Sequence, residues 1–152
     1  MTREDGLMRA LTLIALLGLG ACDADFVPLA GGALSGRITP PPGDWSEVAR
    51  PEVIRLETNP AEPYSVKLWI IGVGSNLYVH AGANRAAWIE HLEADPQVKV
   101  LIGEELYELS AERVTSQAEF DDFAGTYDQK YGNRPRNENV NEAYLYRLVP
   151  RT

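Results

Sequence analysis

Beyond residue 50 the chain alternates apolar and polar residues almost without interruption, and its period changes in two places. Val53–Thr58 sets Ile54 and Leu56 against Arg55 and Glu57, the period of two that a half-buried strand requires. In the longer run Tyr64–Val73, Tyr64, Val66, Leu68 and Ile70 share one face, with Ser65, Lys67, Trp69 and Ile71 opposite. Gly72–Asn76 predicts a hairpin turn, and Leu77–Ala81 predicts the returning strand. The period then lengthens. Trp88, Ile89 and Leu92 make one helical stripe, Asn84 is the expected cap of a helix opening at Arg85, and Asp95-Pro96 ends it. Alternation resumes over Val98–Ile102, turns at Gly103-Glu104 and continues over Leu106–Val114. Ser116 and Glu119 have the spacing of a capping box, Phe120, Phe123, Tyr127 and Tyr131 follow at helical spacing, and Gly132 stops the helix. Such an aromatic stripe is read as core. Ala143–Val149 supplies the last strand.

The predicted order is β-β-β-α-β-β-α-β with short hairpins, so no parallel crossover is needed. The fold class is α+β, mainly β. A small antiparallel barrel of about six strands, with one helix plugging an end and a second packed outside, accounts for every amphipathic face.

The N-terminal region departs from this pattern. Leu7–Leu19 is an apolar run of secretory-signal length, too short for an ordinary spanning helix. It ends in Leu19-Gly20-Ala21-Cys22, which resembles the lipobox of bacterial lipoproteins and makes Cys22, the single cysteine, the expected site of acylation. Glu4 and Asp5 offset Arg3 and Arg9. Met8-Arg9 directly precedes the run, so Met8 rather than Met1 is the expected start, which sequencing of the unprocessed precursor would decide. Residues 1–21 are thus expected as a signal peptide, and 22–50, rich in Gly, Ala and Pro, as a lipidated tether with Trp45 touching the domain. Residues 51–152 form the domain. The lipid would fix it to a membrane of the bacterial envelope.

Charge narrows the partners. The chain carries 14 basic and 22 acidic residues, a net charge of −8, which argues against nucleic acid. No cysteine beyond Cys22 is present, so the domain must be held by its core alone. His80 and His91 have no companions at metal-ligand spacing, the serines have no His–Asp context, and no P-loop or dinucleotide fingerprint occurs. His80 keeps interest because it ends a strand beside Gly82. Ala81-Gly82-Ala83 permits close backbone approach, free N–H groups open the helix that follows, and Arg85 adds a permanent charge suited to phosphate.

LWIIGVGSNLYVHAGANRAAWIEHLEADPQVKVLIG is similar to the split β-barrel flavin- and deazaflavin-binding superfamily, which includes nitroreductase-like and pyridoxamine-phosphate-oxidase-like proteins. The ending YDQKYGNRPRNENVNEAYLYRLVPR resembles the Y..KYG…RL.PR ending of a subset of them. The resemblance spans Ile54–Arg151 and rests on the order of short motifs. It implies FMN or an F420-type deazaflavin on the barrel, with Lys67, Trp69, His80, Gly82, Asn84, Arg85 and Trp88 around it, and dimers with cofactor between subunits. Two readings follow. One is a tethered oxidoreductase reducing a small nitro or quinone-like compound. The other is an envelope lipoprotein without a cofactor that uses the barrel to bind a ligand or a protein.

Overall fold

The computed structural model describes residues 30–82 and 85–152. It contains strands β1 (Arg37–Ile38), β2 (Val53–Thr58), β3 (Tyr64–Val73), β4 (Asn76–His80), β5 (Gln97–Ile102), β6 (Glu105–Arg113) and β7 (Leu145–Pro150), with helices α1 (Ala87–Ala94) and α2 (Gln117–Tyr131). Strands β6-β5-β2-β3-β4-β7 close into a ring, β7 returning to β6, and every pairing within the ring is antiparallel. The barrel expected from the alternation is the barrel observed.

Its interior is built from the inward residues of each strand, among them Leu56, Ile70, Leu77, Val79, Val100, Leu109 and Leu148. Helix α1 plugs one end with Trp88, Ile89 and Leu92. Helix α2 lies outside, where Phe120, Phe123 and Ala124 cover the outward side chains Ile71, Tyr78 and Leu145. Ser116 Oγ accepts from Glu119 N, and Gly132 closes α2 in the left-handed region at φ 72°. Both helix ends were legible from their capping residues.

The start of α1 differs from expectation. The helix begins at Ala87, with Ala86 in the cap position and no side-chain cap bond, while Asn84 lies outside the described residues. The reason is in the backbone just before it. Ala81 N donates to Tyr144 O and Tyr144 N donates to Gly82 O, so the chain stays in sheet-like pairing through Gly82 and turns late.

Residues 30–50, expected as a spacer, instead form a strap on the domain. The cause is the length of two strands. β3 runs beside β2 as far as Trp69 and beside β4 only from Ile70, while β6 exchanges β5 for β7 near Leu109. Each long strand therefore leaves part of each edge without a neighbouring strand, and its backbone groups need other partners. Gly31 exchanges two backbone hydrogen bonds with Ser65, at 2.7 and 2.8 Å, and β1 lies parallel to Glu105-Leu106 of β6. Trp45 is 1% exposed and meets the ring of Tyr107 edge-on at 4.9 Å, as its expected contact with the domain required. Gly72 makes room for it, because a Cβ there would stand 2.6 Å from the Trp45 carbonyl oxygen. Cys22, the signal segment and the remainder of the tether lie outside the described residues.

The last turn of α2 secures the same region. Lys130 Nζ donates to the carbonyls of Ala49, Pro51 and Ile70 at 2.7 to 2.8 Å, and Ile70 N donates to Tyr131 Oη at 3.0 Å. At the other long strand, Arg151 donates to the carbonyls of Leu109 and Val98. The Tyr-x-x-Lys-Tyr-Gly and Leu-Val-Pro-Arg motifs are thus accounted for as clasps across the places where the barrel changes partners.

Candidate functional site

A cleft opens where β3 and β4 part. Their pairing ends at Ile70↔Val79, and the next residues in that register, Trp69 and His80, diverge. β3 continues beside β2 (Val53↔Trp69), and β4 continues beside β7 (His80↔Leu145). Opposed residues of an antiparallel pair share a face, so Lys67, Trp69, Ile71, Tyr78 and His80 all point outward, towards α2. Phe123 and Tyr127 of α2 complete the walls of a space of about 160 Å³.

Trp69 is held in a defined orientation although it is 46% exposed. Its indole stacks on Tyr131 with ring centres 4.4 Å apart and planes 11° from parallel, and Tyr127 leans on it at 5.8 Å. His80 lies deeper. Its ring packs 5.5 Å from Phe123 and 6.2 Å from Phe120 and Tyr127. Burial among these rings pushes its pKa down to about 4, so the imidazole is neutral at neutral pH. Its Nε2 is buried with no hydrogen-bond partner among the described residues. A buried polar atom without a partner costs free energy, so each one in a folded protein calls for a reason. Tyr78 is fixed differently: its hydroxyl donates to Glu119 at 2.9 Å, and burial together with that carboxylate raises its pKa to about 12. It is a protonated wall.

Lys67, Trp69 and His80 are therefore brought together, whereas Gly82, Arg85 and Trp88 lie apart from them and Asn84 falls outside the described residues. Gly82, at φ 62°, makes the bend after His80. Arg85 is exposed and bound to acidic side chains of α1, through Nε to Glu90 at 3.3 Å and through Nη2 to Glu93. A hydrogen bond with Tyr144, then those with Glu90 and Glu93, hold its pKa above the usual value. Trp88 is 3% exposed and belongs to the barrel interior, its ring 6.3 Å from Tyr146. His91 bonds Thr58 Oγ1 through Nδ1 at 2.9 Å and meets Tyr64 edge-on, a satisfied packing residue as expected. Tyr78, Phe123 and Tyr127 escaped the sequence reading as site residues. The available signal was positional: Tyr78 lies two residues before His80 on a strand, and Phe123 and Tyr127 lie four apart on a helix.

These residues suit part of a flavin. A space of this size is comparable to one that admits a single benzene ring, while a whole drug-sized ligand needs roughly 300 Å³ or more. One ring of a planar group enters, and the rest would lie over Trp69. The phosphate end is less well served, because Arg85 is engaged and Glu90 stands in the first turn of α1. Among the described residues no cluster of three or more His, Cys, Asp or Glu is placed to hold a metal ion.

No family model matches the chain, and no curated protein matches it. Solved structures do. A protein of Listeria innocua assigned as a pyridoxamine 5′-phosphate oxidase superposes with a TM-score of 0.55 at 16% identity, over 69% of this chain and 88% of that one. A protein of Bacteroides thetaiotaomicron assigned to 5-nitroimidazole antibiotic resistance gives 0.55 at 12% identity, over 66% and 74%. An FAD-binding protein of Mesorhizobium loti gives 0.51 at 18% identity, over 69% and 85%. The chain shares the split β-barrel fold of these proteins.

Proposed function

We propose that the domain binds a planar aromatic ligand in the cleft between β3, β4 and α2, and that a flavin-type ring, of FMN or a deazaflavin, is the cofactor class it takes. The observation that carries this is the convergence of Trp69, Lys67 and His80 on one outward-facing cleft. The FAD-binding protein of the same fold supports the cofactor class. With such a ring bound, hydride exchange with a small nitro or quinone-like compound would be the ring's chemistry, and the chain's part would be to orient it.

The test is titration of the chain from residue 23 onward with FMN, FAD and a deazaflavin, followed by absorbance and fluorescence quenching. Trp69→Ala is expected to weaken binding by about tenfold, the scale of one lost aromatic stack. Arg85→Ala is expected to change it by less than about threefold, since an exposed arginine paired with carboxylates contributes little. The reverse ranking would move the site to the turn at Gly82. A second reading, a binding module without redox activity, is favoured by the engagement of Arg85 with Glu90 and Glu93, and absence of binding to all three cofactors would select it.

We also propose that the domain works at a membrane of the envelope, held by lipid on Cys22. Labelled palmitate should enter the full-length protein, and Cys22→Ala should abolish the label and release the chain to the soluble fraction. Label retained in that variant would rule out the anchor.

A further inference from the structure

We infer that Tyr131 is a positioning residue of the cleft: standing behind Trp69 rather than lining the space itself, its ring holds the indole ready for a planar ligand. This rests on the binding site proposed above and specifies what orders its exposed wall. Trp69 is 46% exposed, so burial alone leaves its side chain room to turn. A side chain that a ligand must first immobilise costs affinity, and one already fixed does not. Tyr131 supplies the fixing. Its ring lies 4.4 Å from the indole and 11° from parallel, and Tyr127, one helical turn earlier, leans on both rings, 5.8 Å from Trp69 and 5.0 Å from Tyr131. The tyrosine is itself tied to the backbone. Its hydroxyl accepts from Ile70 N at 3.0 Å and shares its proton between the carbonyls of Glu52 and Ile70, both at 2.8 Å. Lys130 beside it donates to the same Ile70 carbonyl at 2.8 Å. The indole is thus braced by a helix that is fastened to the next residue of its own strand, at the point where β3 leaves β2 for β4.

The probes are FMN and lumichrome, whose own fluorescence gives the affinity in every variant. Trp45 and Trp88, the other two tryptophans, are 1% and 3% exposed, so acrylamide quenching of the free protein reads Trp69. Tyr131→Phe removes the hydroxyl and keeps the stacked ring; Tyr131→Leu removes both. The phenylalanine variant should bind each probe within about twofold of the unaltered protein, and the leucine variant about fivefold more weakly, the scale of ordering one side chain. Acrylamide should quench Trp69 more steeply in the leucine variant alone. In a Trp69→Ala background Tyr131→Leu should change affinity by less than about twofold, because its effect passes through the indole. Equal weakening by the two Tyr131 variants, or a loss from Tyr131→Leu that persists without Trp69, would show a clasp that only holds the barrel together and would overturn the inference. If the leucine variant does not fold, the phenylalanine variant still decides: a loss matching that of Trp69→Ala, with quenching unchanged, overturns it. If neither probe binds the unaltered protein, the proposed site falls, and the inference with it.

Discussion

Replacing Trp45 with alanine should lower the stability of the domain by about 3–5 kcal/mol, the range for a large aromatic removed from a packed core. The side chain is 1% exposed, sits against Tyr107, and has its backbone seated where only Gly72 leaves space. Collapse around the lost indole is opposed by the neighbouring strap, because Trp45 N is bonded to Gly74 O and Ala49 N to Trp45 O. Urea unfolding should show a lowered midpoint with an unchanged slope. A loss below about 1 kcal/mol would mean that the strap is dispensable and the domain begins near residue 51, as its composition alone suggests. The variant thus decides where the folded unit starts.

The second large effect is on pH dependence. Burial lowers the His80 pKa to about 4, against about 6.5 in an unfolded chain. Between those values the unfolded chain binds a proton that the folded chain does not, so stability rises with pH across that interval. Above pH 6.5 the full contribution is present. As pH falls from 6.5 to 4 it is lost, by roughly 3 kcal/mol from this one group. His80→Phe should be at least as stable at pH 7, because it removes an unpaired buried nitrogen without emptying the site. Its stability should also decline less than that of the unaltered protein between pH 6.5 and 4.5. Parallel declines in the two proteins would show that His80 is well solvated and that the inner end of the cleft is wet.

The barrel was legible because each of its strands has one face in the core and one outside, so the two-residue period survives in the sequence. Trp69 and Ile71 were placed correctly on the face opposite Ile70 for that reason, and the spacing of Phe120 and Phe123 gave the covering helix. The cleft was legible only in part. Lys67, Trp69 and His80 could be singled out, but that they meet depends on β3 and β4 separating after Ile70↔Val79, a property of strand pairing that no local pattern encodes. Tyr127 followed the core spacing of its helix and was read as core, although the same geometry carries it beyond the edge of the sheet to the rim of the cleft. Arg85 stands apart from the cleft, and its partners were hidden for a different reason. A charge at a turn invites a phosphate when seen alone, but five and eight residues on, Glu90 and Glu93 return to it once the chain bends. The strap was hidden by composition: glycine and proline suit a spacer, and they equally suit a chain that must follow a curved surface closely.

The strap also bears on which β-edges the barrel leaves open to other chains. A closed barrel has no free edge except where its long strands outrun their neighbours, and here Gly31 covers β3 at Ser65 and β1 covers β6 at Glu105-Leu106. Uncovered β-edges are templates for pairing with another chain. A chain that has lost residues 30–50, by proteolysis or by design, would be not merely less stable but adhesive, offering β3 and β6 to any extended segment nearby, including the strap of an intact copy. Exchange of straps between molecules, and the aggregation that follows when the exchange does not close, is the expected failure of a chain without this short segment.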